Sequence, residues 1–261
     1  MSKLKLHPSA DSGMVCDVNT GICAPADLDD AGFMAPAASA DWELVYVGDP
    51  MCSACWGIAP TVSKLPAWTA QQGAKFSILL GGLRPGGGDA WDEKFRNFLR
   101  QHWTEMAAHS GQPFELGLMD RDRFNYDTEP SARAVVVVRS MLGEGDANSS
   151  QLADFFQDLQ HRFYVLNEDP GELEFYREPV AKLELDFTEF SRRFESYEAK
   201  SETREDFLLN RSWGVRGFPS FVLRRGDEVE ILGSGLLSIE ELEQRVAASK
   251  LSEPALASTA L

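Results

Sequence analysis

The sequence predicts an α/β fold in which a β-α-β half and a β-β-α half are separated by a helical insertion. Three observations lead to this prediction. Two apolar runs with a helix-compatible segment between them occupy residues 42–82. Aromatic and aliphatic residues then repeat at helical spacing through the middle of the chain. Two short strand patterns and a last helix pattern follow near the C-terminal end.

The first half begins with a buried strand at 44–47, inside the segment WELVYVGD. A helix is expected at about 54–69, bent near Pro60 or Pro66, because proline removes a backbone hydrogen bond from a helix. The apolar segment FSILLGG, which begins at Phe76, is interpreted as the second strand. A helix between two strands implies parallel pairing and a right-handed crossover.

The middle of the chain is predicted to be helical, with its aromatic stripes in the core. One helix at 131–141 is expected to begin near Thr128 or Ser131, and another is expected to have Asp186 or Thr188 as its N-cap. The stripes comprise Trp91, Phe95, Phe98, Leu99 and Met106; Leu152, Phe155, Phe156, Leu159 and Phe163; and Phe187, Phe190, Phe194 and Tyr197.

The second half is predicted to contain strands at 220–223 and 229–232 around an Arg-Gly-Asp turn. A final helix at 238–248 has two glutamates near its start, which favours a helix N-terminus. This order of elements is that of a thioredoxin fold with a helical insertion between its two halves.

Four regions are therefore expected. Residues 1–40 form an N-terminal extension with a cysteine pair, and 251–261 form a flexible tail. Residues 41–89 and 210–250 together form the thioredoxin-like domain. The helical insertion occupies 90–209.

The net charge of −16 argues against nucleic acid as a partner, because phosphates would repel such a surface. It also disfavours anionic membranes, and no apolar run approaches the ~20 residues that span a bilayer. The N-terminal segment has no apolar core of a signal peptide. A cytoplasmic protein without nucleic-acid or membrane partners is expected.

Cys52 and Cys55, in the segment DPMCSACWG, directly follow the first strand. A thiolate is the attacking species in disulfide exchange, and a helix N-terminus lowers a thiol pKa to roughly 3.5–7.5 in such motifs. Cys52 is therefore predicted to attack and Cys55 to resolve the mixed disulfide. The intervening Ser53-Ala54 offers no His or Lys, which favours a moderate or reducing potential. Trp56 is expected to contribute to an apolar rim that binds substrate.

Phe218 and Pro219 belong to a Gly-Phe-Pro segment just before the strand SFVL. At this position the thioredoxin fold keeps a cis-proline that faces the active cysteines, and a cis bond is inexpensive only before proline. It would leave the backbone of Phe218 free to pair with an extended substrate. The alternative is an ordinary trans proline that starts a strand.

Four segments, DPMCSACWG, GGLRPG, TEPSARAVVVVR and GVRGFPSFVL, resemble the FrnE-like branch of the DsbA family over residues 42–248. The resemblance implies disulfide exchange on protein or small-thiol substrates, with Cys52, Cys55 and Pro219 in the site. A cellular dithiol reductant or oxidant would be the redox partner. The strong oxidases of the family are exported and carry Pro-His between their cysteines, so a reductase or isomerase is favoured here. No cofactor is expected.

No acidic residue is evident beneath the second cysteine. Tyr46 occupies the strand position where related proteins often carry an acid. Asp49 lies nearer the motif and could move protons, although it is expected chiefly to cap the turn before Cys52.

Cys16 and Cys23 form a second pair, in CDVNTGIC. A tight turn around Asn19-Thr20 would make a hairpin with the two cysteines directly opposite, at a distance that suits a disulfide. The pair is then either an auxiliary redox pair for Cys52 and Cys55, or a local staple or mobile tail.

Two other functions remain open. The four cysteines could form a tetrahedral zinc site, or the chain could be a glutathione-dependent isomerase or transferase on the same fold, although such enzymes usually replace the resolving cysteine. The histidines have no metal-ligand spacing and are interpreted as surface or core residues: His7, His102, His109 and His161.

Overall fold

A computed structural model describes residues 14–17, 22–25, 42–143 and 145–252 of the chain. Within these ranges, no helix is long and apolar enough to cross a membrane. Of the tail predicted at 251–261, Leu251 and Ser252 belong to a short 3₁₀-helix (Lys250–Ser252), and the rest lies outside the described residues.

The described part of the chain contains two β-sheets. The strands are β1 (Met14–Asp17), β2 (Ile22–Pro25), β3 (Trp42–Gly48), β4 (Lys75–Leu80), β5 (Ser220–Arg225) and β6 (Glu228–Ser234). β1 and β2 pair with each other, and the other four form one sheet in the order β4-β3-β5-β6. β3 is parallel to β4 and antiparallel to β5, and β6 is antiparallel to β5. This topology confirms the predicted thioredoxin fold.

Helices flank the sheet and fill the insertion. They are α1 (Ser53–Gly57), α2 (Ala59–Val62), α3 (Leu65–Gln71), α4 (Glu93–Ser110), α5 (Glu129–Leu142), α6 (Asp146–Tyr164), α7 (Arg177–Lys182), α8 (Phe187–Phe194), α9 (Tyr197–Ser212) and α10 (Ile239–Ala248). α4 to α9 lie between β4 and β5 in the chain, as the predicted insertion requires.

The single bent helix predicted at 54–69 is wrong, because this segment forms the three short helices α1, α2 and α3. Pro60 and Pro66 each lie in the first turn of a helix. A first-turn residue needs no intrahelical N–H partner, so proline is tolerated there. The prolines therefore begin new helices instead of bending one.

The predicted stripe that ends at Tyr197 is also divided between two helices. Asp186 is the N-cap of α8, as predicted, and its carboxylate accepts a hydrogen bond from the Glu189 N–H at 2.7 Å. Ser196 caps α9 by accepting from the Ala199 N–H at 3.1 Å. Tyr197 is 80% exposed, so it is not the core residue that its spacing indicated.

An ion pair attaches the insertion to the end of β4. Arg139 on α5 makes two hydrogen bonds to the Asp206 carboxylate on α9, at 2.8 and 2.9 Å. The same carboxylate accepts from the Leu80 N–H at 3.1 Å, at the last residue of β4. Because Leu80 precedes Gly81 and Gly82, this contact holds the chain next to the site described below.

Candidate active site

Cys52 is the N-cap residue of α1, and Cys55 lies one turn inside the helix. The Cys52 N–H donates to the Asp49 carbonyl at 3.0 Å, which closes a tight turn between β3 and α1. Residues three apart in a helix are neighbours, so the two sulfurs share one side of α1. Both cysteines are fully buried.

The shortness of α1 changes the expected electrostatics of the site. The helix has five residues, and its axis ends at Gly57. A macrodipole grows with the number of aligned peptides, so stabilisation of a Cys52 thiolate rests on the N–H groups of the first turn.

The Phe218–Pro219 peptide bond is cis, in agreement with the sequence prediction. The Cys52 sulfur donates to the Phe218 carbonyl at 3.7 Å. The cis-proline loop and the first cysteine therefore meet, although they lie 166 residues apart in the chain. A substrate strand that pairs with this carbonyl would have to replace the Cys52 thiol as its donor.

The Phe218 ring is buried and rests on the backbone of Gly81. A Cβ atom on Gly81 would lie 2.5 Å from this ring. Gly81 therefore belongs to the packing that places the cis-proline loop. No sequence pattern connects Gly81 with Phe218, because the two residues are far apart in the chain.

Tyr46, on β3, reaches the second cysteine. Its hydroxyl is buried next to the Cys55 thiol, and its ring crosses the backbone of Gly48, where a Cβ atom would lie 2.6 Å from the hydroxyl oxygen. Burial, followed by the neighbouring Cys55, raises the pKa of Tyr46 well above its ordinary value. The phenol therefore keeps its proton, and its O–H group can donate a hydrogen bond to a Cys55 thiolate.

Asp49 is fully buried and caps the turn before Cys52, as predicted. Its carboxylate accepts from the Met51 N–H and the Leu83 N–H, both at 2.9 Å. Burial raises the pKa of Asp49 from 3.8 to about 6, against the lowering effect of these two hydrogen bonds. Asp49 therefore joins the cysteine turn to the loop after β4.

The raised pKa of Asp49 predicts a pH-dependent stability. The folded protein binds this proton more tightly than the unfolded chain, so the stabilising contribution is complete below pH 3.8 and is lost as the pH rises through about 6. The shift corresponds to about 3 kcal/mol. In denaturant titrations, the unfolding free energy of wild type should fall by roughly 2.4 kcal/mol relative to Asp49→Asn between pH 4 and pH 8, because part of the contribution is already lost at pH 4. A difference that is independent of pH would contradict this account.

His102, on α4, is a site residue that the sequence analysis missed. It is buried, and its Nε2 lies 2.7 Å from the Ser53 hydroxyl, inside the dipeptide between the two cysteines. Its ring stacks on Phe98 with a centroid distance of 5.9 Å. The dipeptide itself lacks a histidine, but the insertion supplies one. The two residues are 49 positions apart, so no local pattern connects them.

Trp56 lies inside the protein, with 3% of its surface exposed. Its indole N–H donates to the Pro113 carbonyl at 2.9 Å, and its ring stacks on Tyr164 at 6.4 Å. The residue packs α1 against the insertion and reaches a cavity of about 310 Å³ beside His161 and Lys182. A substrate-binding role for Trp56 stays a prediction.

The N-terminal cysteines have the register that the sequence predicted. Cys16 on β1 and Cys23 on β2 are directly opposite in the antiparallel pair. The predicted turn residues, Asn19 and Thr20, lie outside the described residues. β2 also lies beside α1, with Cα atoms of the two elements within 8 Å.

No group of three or more His, Cys, Asp or Glu side chains suited to a metal ion occurs among the described side chains. The zinc hypothesis needs the side chains of Cys16 and Cys23, which are outside that set, so it is not tested here.

Comparison with known proteins identifies one family whose model matches this chain. The model of the DSBA-like thioredoxin domain matches residues 83–247. A structure of a candidate protein disulfide isomerase from Nitrosomonas europaea is 30% identical, with a TM-score of 0.70, and the match covers 79% of this chain and 96% of that one. The cytosolic disulfide reductase DsbM from Pseudomonas aeruginosa is 22% identical, with a TM-score of 0.61 and coverage of 79% and 100%. DsbM with GSH matches at 22% identity and a TM-score of 0.60, over 78% and 96% of the two chains. No curated protein matches the chain.

Proposed function

The chain belongs to the DSBA-like thioredoxin domain family of thiol–disulfide oxidoreductases and isomerases, and from this premise we propose that it is a cytosolic disulfide reductase. Cys52 would be its nucleophile and Cys55 its resolving cysteine. Its substrates would be disulfides of proteins or small thiols. Membership of the FrnE-like branch stays a prediction.

One observation carries this proposal: the Cys52 sulfur lies 3.7 Å from the Phe218 carbonyl in the cis-proline loop. Disulfide exchange requires a thiol at the point where an extended substrate can pair with the protein backbone. Cys55 follows one helical turn behind, where it can attack the Cys52 sulfur.

The proposed reaction has two steps. The Cys52 thiolate attacks a substrate sulfur, so that a mixed disulfide forms and one substrate thiolate leaves. Cys55 then attacks Cys52, which forms the Cys52–Cys55 disulfide and releases the second substrate thiolate. Two electrons pass from the protein to the substrate. The Tyr46 hydroxyl would stabilise Cys55 as a thiolate before its attack.

The direction of electron flow is proposed from the residues between the cysteines. Ser53 and Ala54 carry no charge, and a strongly oxidising site needs strong stabilisation of its reduced thiolate. DsbM, which shares the fold, is described as a cytosolic reductase and has been seen with GSH. A glutathione-type thiol is therefore proposed as the reductant.

The reduction potential of the Cys52–Cys55 couple tests this direction. Equilibration with glutathione buffers, followed by alkylation and mass analysis, should give a potential of about −200 mV or lower, in the range of glutaredoxins and thioredoxin. A potential near −120 mV, as in the oxidase DsbA, would contradict the reductase proposal.

We expect His102 to tune this potential through Ser53. His102 holds the Ser53 hydroxyl at 2.7 Å and so fixes the first turn of α1, whose N–H groups favour a Cys52 thiolate. His102→Phe should keep the stacking on Phe98 and lower the reduction potential by about 30 mV, which is a tenfold change in equilibrium constant.

Ser53→Ala serves as the matched variant, since it removes the contact but keeps the histidine. Ser53→Ala should lower the reduction potential by part of the amount expected for His102→Phe. Identical potentials for wild type and His102→Phe would show that His102 only packs.

A further inference from the structure

The N-terminal hairpin, defined as β1 and β2, brings a second cysteine pair to the helix that carries the first. Cys16 and Cys23 occupy opposite positions in its register, and β2 lies within 8 Å of α1 between Cα atoms. We infer that the hairpin is an intramolecular electron relay, in which Cys16 and Cys23 re-reduce the Cys52–Cys55 disulfide. This inference rests on the proposed function.

The hairpin backbone suits reversible oxidation. Opposite residues of an antiparallel pair have Cα atoms about 4.5 or 5.5 Å apart, and disulfides accept Cα separations of about 4.4–6.8 Å. Cys16 and Cys23 can therefore alternate between dithiol and disulfide while the strands stay paired. In a reducing compartment, a pair with this geometry is more useful as a redox couple than as a permanent staple.

The burial of the main pair explains why a relay is needed. Cys52 and Cys55 have no exposed surface, and their neighbours Met51 and Ala54 are at most 1% exposed. A substrate and a reductant from solution must each displace part of the protein to reach these sulfurs, so a reductant within the chain removes one of two such encounters. A thiol on an adjacent strand of the same chain has an effective concentration on the order of millimolar without such an encounter.

The relay step balances as a two-electron exchange. A hairpin thiolate attacks the Cys52 sulfur, the Cys52–Cys55 bond breaks, and Cys55 leaves as a thiolate that accepts a hydrogen bond from Tyr46. The second hairpin cysteine then attacks the first, which forms the Cys16–Cys23 disulfide and releases Cys52 as a thiolate. Two electrons have moved from the hairpin to the site. A glutathione-type thiol or a cellular dithiol then reduces the hairpin disulfide.

Full-length variants that keep only two cysteines test whether a hairpin cysteine can reach Cys52. Cys23→Ser/Cys55→Ser keeps Cys16 and Cys52, and Cys16→Ser/Cys55→Ser keeps Cys23 and Cys52. Each variant, at about 1 μM, is treated with oxidised glutathione, blocked with alkylating reagent and cleaved after glutamate. Glu43 is the first glutamate of the chain, so this cleavage separates the hairpin from the active-site peptide.

In at least one variant, Cys52 should bridge to the hairpin within its own chain about 10³-fold faster than between chains, at a rate unchanged by tenfold dilution. If Cys52 is found only as a glutathione adduct or in bridges between chains, the relay is refuted and the proposed function stands. If Cys52 does not react at all, both are refuted.

The unmodified chain tests the electron transfer itself. After substoichiometric oxidation of Cys52 and Cys55 by oxidised glutathione, the Cys16–Cys23 disulfide should accumulate at a rate independent of protein concentration. If the disulfide remains between Cys52 and Cys55 throughout the time course, the relay is refuted.

Discussion

Replacing Cys52 with serine should lower the rate of disulfide reduction by about 10³-fold or more. A serine hydroxyl is a weak nucleophile near neutral pH, and nothing in the proposed reaction can replace the attacking sulfur. The geometry beside the Phe218 carbonyl would be kept, because oxygen and sulfur occupy the same position in the side chain. The measurement is the initial rate with insulin or a model disulfide under saturating reductant.

The control for Cys52→Ser is a measurement of whether the variant is folded. Its circular dichroism and thermal midpoint should match those of wild type within a few degrees, since a buried thiol-to-hydroxyl change affects little packing volume. A folded Cys52→Ser protein that reduced the model disulfide at the wild-type rate would refute the assignment of the nucleophile.

Gly81→Ala should reduce activity by about 100-fold. The added Cβ atom would lie 2.5 Å from the Phe218 ring, so the ring and the attached cis-proline loop must move. Overpacking of this kind costs about 1–3 kcal/mol of stability, and a displacement near 1 Å at a catalytic site can cost about 10²-fold in rate. Steady-state kinetics and chemical denaturation measure the two effects separately.

Gly73→Ala is the matched glycine control. Gly73 also resists a side chain, because its φ is +69°, but a Cβ atom there would meet nothing within 4 Å. The Gly73→Ala variant should lose roughly 1 kcal/mol of unfolding free energy, because alanine is disfavoured in a left-handed backbone conformation, and it should keep its activity. Equal losses of activity in both variants would show that stability, not the position of the cis-proline loop, controls the rate.

Short patterns predicted the parts of this site that lie close together in sequence. Cys52 and Cys55 come directly after a strand, and a Gly-Phe-Pro segment comes directly before another. In a thioredoxin fold, these two junctions meet at one end of β3 and β5, which are adjacent. The register of Cys16 and Cys23 was similarly readable, because it depends only on the length of one turn.

The remaining contacts were not predictable, because packing between distant elements creates them. His102 reaches Ser53 only when α4 lies against α1, and Gly81 meets Phe218 only when β4 and β5 pair with the two sides of β3. The breaks at Pro60 and Pro66 have a different cause: helical spacing continues through them, and first-turn prolines and mid-helix prolines look alike in sequence. The exposure of Tyr197 follows from such a break, at Ser196.

The most direct measurement is the fate of a Cys16→Ser/Cys23→Ser/Cys55→Ser variant with a disulfide substrate, because no hairpin thiol can then resolve an adduct on Cys52. If Cys52, at the start of α1, is the nucleophile, the substrate should stay covalently attached to the protein. Peptide mapping should then place every adduct on Cys52. Loss of the adduct on adding reductant would identify it as a disulfide. If this variant turns over normally, or if its Cys52 stays unmodified by the substrate, the mechanism described here is contradicted.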